Sequence, residues 1–319
     1  MIERISVLIP AYNAEKTIGK TLDSLVNQTR KDFEIVVVDD GSSDTTPQIL
    51  REYQNIFPNM KIYSQQNLGV AAARNRLVEI ASGTHLLFCD ADDYLEEHAI
   101  ELIYDTLSKH NVDLVVFGYK MIREGGDKAV LKRKLSEGMY RKNQWGHLHV
   151  KGLTDLYWSA LWNKCFKKEI VLSGSTICFQ KILEDVTFNV EYMGRCRTVY
   201  ILENSLYNYM QIGDSLTRSK KNDSEQHILD AFNAFSYLYE VLQDAYGNLK
   251  KDINLYTYGM LCGLCGRAEN MNNEELYSRI LESNLWCTIT EELGQDVYRV
   301  HVRRKIGKLK YIIKKVIKR

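Results

Sequence analysis

Short apolar runs and amphipathic segments alternate over the first 120 residues of the chain. Consecutive apolar positions predict buried strands, and apolar positions that recur every three to four residues predict helices. The predicted strands cover residues 5–9, 34–38, 61–63, 86–89 and 113–117. The predicted helices cover residues 14–28, 45–53, 69–81 and 96–110. Buried strands separated by single helices indicate an α/β fold with a mostly parallel sheet and helices on both faces.

This alternation ends near residue 118. Residues 128–134 are mostly charged and predict an exposed loop or hairpin, whereas 182–193 predict a helix and 199–202 a strand. From 223 to 282 the pattern is helical, rich in Tyr, Leu and Ala, and free of proline. We therefore predict an α/β domain over 1–220, a helical C-terminal region over 221–302, and a separate tail over 303–319.

Composition places the chain among ordinary soluble globular proteins. Of 319 residues, 45% are hydrophobic and 26% charged, and no apolar run reaches the roughly 18 residues that span a bilayer. The start of the chain resembles a strand rather than a signal peptide, so the seven cysteines are expected to be reduced in a cytoplasmic protein. Cys262 and Cys265 form a lone C-x-x-C in a helical pattern and are predicted to be packing residues.

The net charge of +1 hides a basic tail. Residues 303–319 contain nine Lys or Arg and no acidic residue, which leaves −8 on the rest of the chain. Apolar residues recur in the tail at helical spacing: Ile306, Leu309, Ile312, Ile313, Val316 and Ile317. We predict an amphipathic helix that binds an anionic membrane, with a solvated helix or one bound to a partner protein as the alternatives.

Candidate chemistry is concentrated at the ends of predicted strands. The strand that ends at Cys89 is followed by Asp90, Asp92 and Asp93. Ligands bind at the carboxyl ends of parallel strands, and two converging carboxylates are typical ligands of Mg²⁺ or Mn²⁺. The alternative is a polar loop that caps the helix beginning near Glu96.

Two earlier strand ends offer groups that suit a nucleotide. Tyr12 presents an aromatic face for a base, and Asp39-Asp40 can accept a hydrogen bond from a base such as a pyrimidine. With a metal at Asp90 and Asp92, this edge suits a nucleoside diphosphate, although Tyr12 could pack and the aspartates could be turn residues. No G-x-G-x-x-G is present, which argues against a nicotinamide or flavin enzyme.

These motifs resemble those of the family 2 glycosyltransferases, which have the GT-A (Rossmann-like) fold and build bacterial surface polysaccharides. The matching segments are 7–13, 37–44, 66–69, 73–75 and 88–93. The resemblance implies a nucleotide site, a D-x-D metal motif at Asp90-Ala91-Asp92 with Asp92 as the nearest ligand, and Mn²⁺ or Mg²⁺ as cofactor. The nucleotide-binding residues predicted in this way are Pro10, Ala11, Tyr12, Asn13, Asp39, Asp40, Asn67, Arg74, Asp90 and Ala91.

Weaker resemblance extends to about residue 217. Residues 162–167 resemble the loop before the acceptor site, and Glu184-Asp185 resembles the E-D motif, whose aspartate is the catalytic base of inverting members; a plain helix cap is the alternative. Glu184, Trp158 and Trp162 are candidate sugar-binding residues, although each tryptophan could be a core residue. The closing segment, 207–217, has Met210 where the family often has Arg, which leaves a phosphate-pairing role there in doubt.

The sequence thus favours a metal-dependent, inverting glycosyltransferase that moves a sugar from a nucleotide-sugar donor, by preference UDP-linked, to a hydroxyl of a glycan or lipid-linked acceptor. We expect it in the cytoplasm, peripheral on the inner face of the cell membrane, without nucleic acid as a partner; whether it is a homo-oligomer stays open. One alternative is a sugar-nucleotide pyrophosphorylase, which would normally show a Gly-rich basic loop after the first strand. The other is an inactive glycosyltransferase-like binding subunit.

Overall fold

The structure is a computed structural model that describes residues 4–123, 128–130 (backbone only), 135–173, 178–180, 182–211, 224–294 and 296–297. The chain divides into two compact units, Met1–Ser219 and Lys220–Arg319, close to the domain boundary predicted after residue 220. The predicted loop residues 131–134, the end of the closing segment and the basic tail lie outside the described residues.

The first unit contains the strands. They are β1 (Ile5–Ala11), β2 (Phe33–Asp39), β3 (Met60–Ser64), β4 (His85–Phe88), β5 (Tyr94–Leu95), β6 (Leu114–Arg123), β7 (Lys128–Val130), β8 (Gly138–Arg141), β9 (Lys164–Lys167) and β10 (Thr198–Gln211). Its helices are α1 (Ile18–Val26), α2 (Thr46–Ile56), α3 (Val70–Ile80), α4 (Ala99–Lys109), α5 (Lys142–Lys151), α6 (Leu156–Ser159), α7 (Lys168–Leu172) and α8 (Glu184–Arg195).

The strands join into a single sheet with the order β3-β2-β1-β4-β9-β6-β10-β5, to which β7 and β8 add at β6 and β10. Strands β3, β2, β1, β4, β6 and β10 run in one direction, as the alternating pattern predicts. Consecutive residues of β1 and β2 are buried, which requires cover on both faces of the sheet. The prediction of a mostly parallel α/β sheet is confirmed.

One central strand is not part of the alternating pattern. Strand β9 lies between β4 and β6 and is antiparallel to both. Its four residues, Lys164–Lys167, come from a stretch of mixed aromatic and basic residues that carries no strand signal. Because β9 fills the centre of the sheet, the segment that precedes it is held against the part of the sheet that carries the candidate chemistry.

The second unit is helical, as predicted for the C-terminal region. Its helices are α9 (Glu225–Tyr246), α10 (Lys250–Asn270), α11 (Glu274–Leu281) and α12 (Asn284–Leu293). Three of them begin at side-chain caps, in which Ser224, Asn273 and Ser283 accept hydrogen bonds from backbone N–H groups in the first turn. Within the described ranges, no helix combines the length and apolar character needed to cross a membrane.

The C-x-x-C of the second unit lies within α10. Cys265 is buried and Cys262 is half-buried. Among the residues that the structure describes, no group of three or more His, Cys, Asp or Glu could hold a metal ion. That the pair serves packing stays a prediction.

Candidate active site

The candidate residues converge because three parallel strands end at the same edge of the sheet. Ala11 of β1 lies opposite Asp39 of β2, and Leu8 of β1 lies opposite Phe88 of β4. The Asp40 N–H donates to the Ala11 carbonyl over 2.8 Å, which continues the pairing past the end of β2. Residues 10–13, 39–40 and 90–92 therefore share one edge, as predicted from the strand ends.

The loop after β1 presents one free aromatic surface. Tyr12 is 51% exposed, so its ring can be covered by a ligand. Asn13 has a left-handed backbone (φ 46°), and its side-chain oxygen accepts a hydrogen bond from the Ser43 N–H at 2.8 Å. Pro10 is half-buried and Ala11 buried, so both shape the loop from below. Tyr12 is the member of this loop that is available for base stacking.

Asp40 holds the start of α3. Its Oδ1 accepts hydrogen bonds from the Gln65 side chain (2.8 Å) and the Leu68 N–H (2.9 Å), and its Oδ2 accepts from the Gly69 N–H (2.8 Å). A carboxylate can accept about four hydrogen bonds, so Oδ2 retains an acceptor position. Asp40 therefore connects β2 to the helix that carries Arg74, in addition to any contact with a base.

Asp39 and the glycine after Asp40 shape the same turn. The Oδ1 of Asp39, which is buried, accepts a hydrogen bond from the Ser42 N–H at 3.1 Å. Gly41 has φ +75°, and a Cβ there would lie 2.9 Å from the backbone nitrogen of Asn67. Glycine is therefore required at 41 for the two loops to approach. Asn67, predicted to bind nucleotide, is exposed beside this turn.

Arg74 lies at the centre of the site. It is 5% exposed, and its Nη2 contacts Asp90 Oδ1 at 3.0 Å. Its Nη1 contacts Asp185 Oδ1 at 2.5 Å and Glu184 Oε1 at 3.5 Å. One guanidinium thus joins the D-x-D motif to the E-D motif, which are separated by about 90 residues of sequence. The three nearby carboxylates raise the pKa of Arg74 further above its usual value, despite its burial.

The E-D pair faces this guanidinium from the first turn of α8. Neither carboxylate serves as a conventional cap: the residue before the helix, Leu183, has a left-handed backbone (φ 58°) and no capping hydrogen bond. A leucine in this region is uncommon and marks a constrained backbone. Loss of water raises the pKa of Asp185 to about 7; the charge of Arg74 opposes this rise, and Glu184 and Asp90 add to it.

The D-x-D loop carries two carboxylates with different environments. Asp90 is held by Arg74, whereas Asp92 keeps an exposed edge. Loss of water around its carboxylate, together with the charge of Asp90, raises the pKa of Asp92 to about 6. Ala91, between them, accepts a hydrogen bond through its carbonyl from the Thr21 hydroxyl at 3.0 Å.

The carboxylates of the D-x-D loop have the chemistry to hold a divalent cation, which a diphosphate would share. Mg²⁺ is usually held by one or two carboxylates, with phosphate oxygens and water at the remaining positions. Asp92 and Asp90 would supply two such ligands, and Arg74 alone contacts three carboxylates. The pKa of Asp92 is raised first by loss of water and then by the charge of Asp90, and a bound cation would offset both effects.

Two predicted sugar-binding residues are core residues instead. Trp158 is fully buried, packed edge-on against Tyr157 at 5.3 Å between ring centroids. Trp162 is 4% exposed and stacks on Tyr207 at 4.6 Å. The prediction that these tryptophans stack on a sugar is wrong for this structure, because Trp158 is fully buried and Trp162 is stacked against Tyr207 and Tyr209. Glu184, the third candidate, is half-buried and faces Arg74.

A buried lysine lies near the E-D pair, within the segment 162–167, and nothing in the sequence indicates its burial. Lys164 is fully buried, and its Nζ donates to the carbonyls of Tyr157 (3.1 Å) and Ala160 (2.5 Å) and to the Asn163 side chain (2.9 Å). Burial lowers its pKa to about 7, although nearby Asp185 opposes the change. Lys164 therefore fixes the segment before β9 beside the E-D pair.

Asn189 makes a second link to this segment. Its side-chain nitrogen donates to the carbonyls of Ser159 (2.7 Å) and Asp185 (2.8 Å), so it ties the segment to the first turn of α8. Only a tertiary structure could have revealed this pairing, because a single Asn within a helix has no distinctive pattern.

Comparisons with known proteins agree with this geometry. The family model described as "Glycosyl transferase family 2" matches residues 6–167, about half of the chain. The chain therefore belongs to glycosyltransferase family 2, and the predicted family is confirmed.

Relatives with names of the same kind match beyond this region. The uncharacterized glycosyltransferase EpsJ of Bacillus subtilis (strain 168) is 28% identical over 268 residues, which cover 80% of this chain and 75% of EpsJ. The cholesterol galactosyltransferase of Borreliella burgdorferi is 27% identical over 223 residues, which cover 68% of this chain and 62% of that protein. The chain is thus a family 2 glycosyltransferase.

A solved structure shares the fold. The crystal structure of S. aureus TarS 1–349 in complex with UDP-GlcNAc matches with a TM-score of 0.66 at 22% identity, over 93% of this chain and 82% of TarS 1–349. At this identity the match concerns the fold, and it supports the predicted GT-A architecture with a helical C-terminal region.

Proposed function

We propose that this protein transfers a sugar from a UDP-linked donor to a hydroxyl of a glycan or lipid-linked acceptor, with inversion at the anomeric carbon, in the synthesis of a surface polysaccharide. Asp185 acts as the general base, and Asp92 with Asp90 holds Mn²⁺ or Mg²⁺. Tyr12 stacks on the base, and Asp39 and Asp40 line its edge.

The observation that carries the proposal is the contact of Arg74 with both halves of the site. Inverting transfer needs the base on one side of the anomeric carbon and the diphosphate on the other. Arg74 brings Asp185 and Asp90 to opposite branches of one guanidinium, at 2.5 and 3.0 Å. A nucleotide at the strand ends would have its diphosphate near Asp90 and its sugar next to Asp185.

Asp185 is suited to take the proton of an acceptor hydroxyl. A general base works best when its pKa is close to the operating pH, and the pKa of Asp185 is raised to about 7. The base must be ionised, so we expect turnover to fall as the pH drops below about 7. The metal, when bound by Asp92 and Asp90, would supply positive charge to offset the charge on the departing diphosphate.

The donor and acceptor classes draw support from proteins of similar sequence or fold. TarS, which shares the fold, was crystallised with UDP-GlcNAc and with UDP, and this supports a UDP-linked donor. The Borreliella relative is named for transfer to cholesterol, which supports a lipid as one class of acceptor.

The test is a panel of nucleotide sugars, screened by thermal shift with Mn²⁺ and then assayed for metal-dependent hydrolysis of the donor. A ligand at about 100 times its Kd stabilises a protein by about 2.7 kcal/mol, which a thermal shift detects. We expect UDP-sugars to stabilise the protein and to be hydrolysed slowly. Stabilisation without hydrolysis under any condition would favour an inactive binding subunit. Conversion of the UDP-sugar and added pyrophosphate to UTP and sugar 1-phosphate would favour a pyrophosphorylase.

We further propose that the basic tail holds the enzyme at the inner face of the cell membrane. The support is its nine basic residues, its lack of acidic residues and its apolar positions at helical spacing. Flotation with anionic liposomes, of the full chain and of a chain ending at residue 302, tests this. Only the full chain should float, and equal behaviour of the two would refute the proposal.

A further inference from the structure

The D-x-D loop is held by hydrogen bonds from α1 on one side and β10 on the other, and by one hydrogen bond within the loop. The Thr21 hydroxyl donates to the carbonyls of Ala91 (3.0 Å) and Asp93 (2.7 Å). Within the loop, the Asp93 N–H donates to the Asp90 carbonyl at 3.2 Å. These contacts fix the backbone from below, on the side of α1.

Tyr207 of β10 holds the loop from the second side. Its hydroxyl accepts a hydrogen bond from the Asp90 N–H at 3.1 Å and donates its own to Asp93 Oδ2 at 2.7 Å. Asp93 is 1% exposed, and its other oxygen accepts from the Met210 N–H at 2.7 Å. The third aspartate of the motif thus points away from solvent, toward β10, and has a different role from the other two.

Tyr207 is itself fixed by Trp162. The two rings stack at 4.6 Å with an interplanar angle of 9°, and Tyr209 stacks on the same tryptophan at 5.4 Å and 13°. Tyr207 is fully buried. The Tyr207 hydroxyl therefore has little freedom to move. Because the Asp90 N–H donates to it, this hydroxyl also fixes the position of the Asp90 backbone.

We propose that Tyr207 and Asp93 are positioning residues that hold Asp90 and Asp92 in the geometry that binds the divalent cation, with Trp162 fixing Tyr207. This inference rests on the proposed function in that the metal is the one held by the D-x-D motif. It assigns Trp162 a role different from the predicted sugar contact, and gives a role to the third aspartate.

The physical reason is that the two ligands repel each other. The carboxylates of Asp90 and Asp92 would move apart if their loop were free. Part of the binding free energy of the cation would then be used to bring them together. A loop fixed beforehand removes that cost from the binding free energy. Groups that orient metal ligands typically contribute 10- to 100-fold in metal affinity.

The test is Tyr207→Phe, with Tyr209→Phe as the matched control. Both variants lose one hydroxyl from the same face of the same strand and keep the stack on Trp162. UDP binding is measured by calorimetry over a series of Mn²⁺ concentrations and with a chelator, and Mn²⁺ binding without nucleotide is followed by electron paramagnetic resonance. Thermal unfolding confirms that the variants are folded.

We expect Tyr207→Phe to raise the Mn²⁺ concentration for half-maximal enhancement of UDP binding about tenfold or more. Its UDP affinity in the presence of the chelator should be unchanged. The control Tyr209→Phe should stay close to wild type in both measurements. Asp93→Asn should change Mn²⁺ dependence in the same direction. An unchanged Mn²⁺ midpoint in Tyr207→Phe, or an equal loss in Tyr209→Phe, overturns the inference. The inference is also overturned if UDP binding by the wild-type protein does not depend on Mn²⁺. UDP binding itself would in that case still support a UDP-linked donor.

Discussion

Glu34 lies at the start of β2, at the end of the sheet away from the candidate site, and it offers a quantitative test of the forces that stabilise this end. Its side chain is 1% exposed and accepts hydrogen bonds from Lys61 Nζ (2.8 Å), the Ser6 hydroxyl (2.5 Å), the Ser82 hydroxyl (2.6 Å) and the Gly83 N–H (3.1 Å). Burial alone would raise the pKa of Glu34, but these donors outweigh it and lower the pKa from 4.5 to about 2.

The magnitude follows from the shift of the pKa. At about 1.4 kcal/mol per pH unit, a pKa lowered from 4.5 to about 2 corresponds to about 3 kcal/mol of stability at pH 7. Because the folded pKa is below the unfolded one, this stability is present above about pH 4.5 and is lost as the pH falls toward 2. At pH 3 about 1.5 kcal/mol should remain.

The perturbation is Glu34→Gln, compared with wild type by urea unfolding at pH 7 and pH 3. Tryptophan fluorescence reports mainly on the first unit, which contains Trp145, Trp158 and Trp162 of the four tryptophans. We expect a loss of about 3 kcal/mol at pH 7 that shrinks by about half at pH 3. The control Asp32→Asn, at an exposed ion pair with Arg30, should cost less than about 0.5 kcal/mol. A loss for Glu34→Gln that is independent of pH would refute the reasoning.

Two further predictions concern the site. Asp92→Asn should abolish the Mn²⁺-dependent part of UDP binding, because an amide keeps the shape but loses the charge; unchanged affinity by calorimetry with Mn²⁺ would contradict the metal assignment. Lys164→Met should gain stability relative to wild type as the pH falls from about 10 to about 7, because burial lowers the pKa of Lys164 from 10.5 to about 7 and disfavours the charged form. A difference in Tm that does not vary with pH would show that burial does not lower the pKa of Lys164.

The strand ends and helix positions were predictable because the buried face of each element sets the spacing of its apolar residues, and this spacing is visible in the sequence. The parallel strands ending at Ala11, Asp39 and Phe88 follow from that pattern, and so does the meeting of their loops at one edge. Strand β9 was missed because its residues, Lys164–Lys167, are half lysine, and a buried lysine has no signature in a sequence.

Side-chain roles were less predictable than side-chain positions. Trp162 was assigned to a sugar because aromatic rings often stack on sugars, yet its faces are covered by Tyr207 and Tyr209. Asp93 is adjacent to two candidate ligands and has the same chemistry, but its carboxylate points to β10. In both cases long-range partners, more than 40 residues away in sequence, decide the role.

The most direct test of the central claim compares Asp185→Asn with Glu184→Gln, using the donor and acceptor identified by the nucleotide-sugar panel. Both residues contact Arg74 from the same turn of α8, so each variant is a control for the other. If Asp185 is the base, its replacement should lower turnover about 10²- to 10⁴-fold while UDP affinity stays nearly unchanged, and Glu184→Gln should retain much more activity. Near-normal turnover in Asp185→Asn would contradict the account: with Glu184→Gln inactive the two roles are exchanged, and with both variants active the base lies elsewhere.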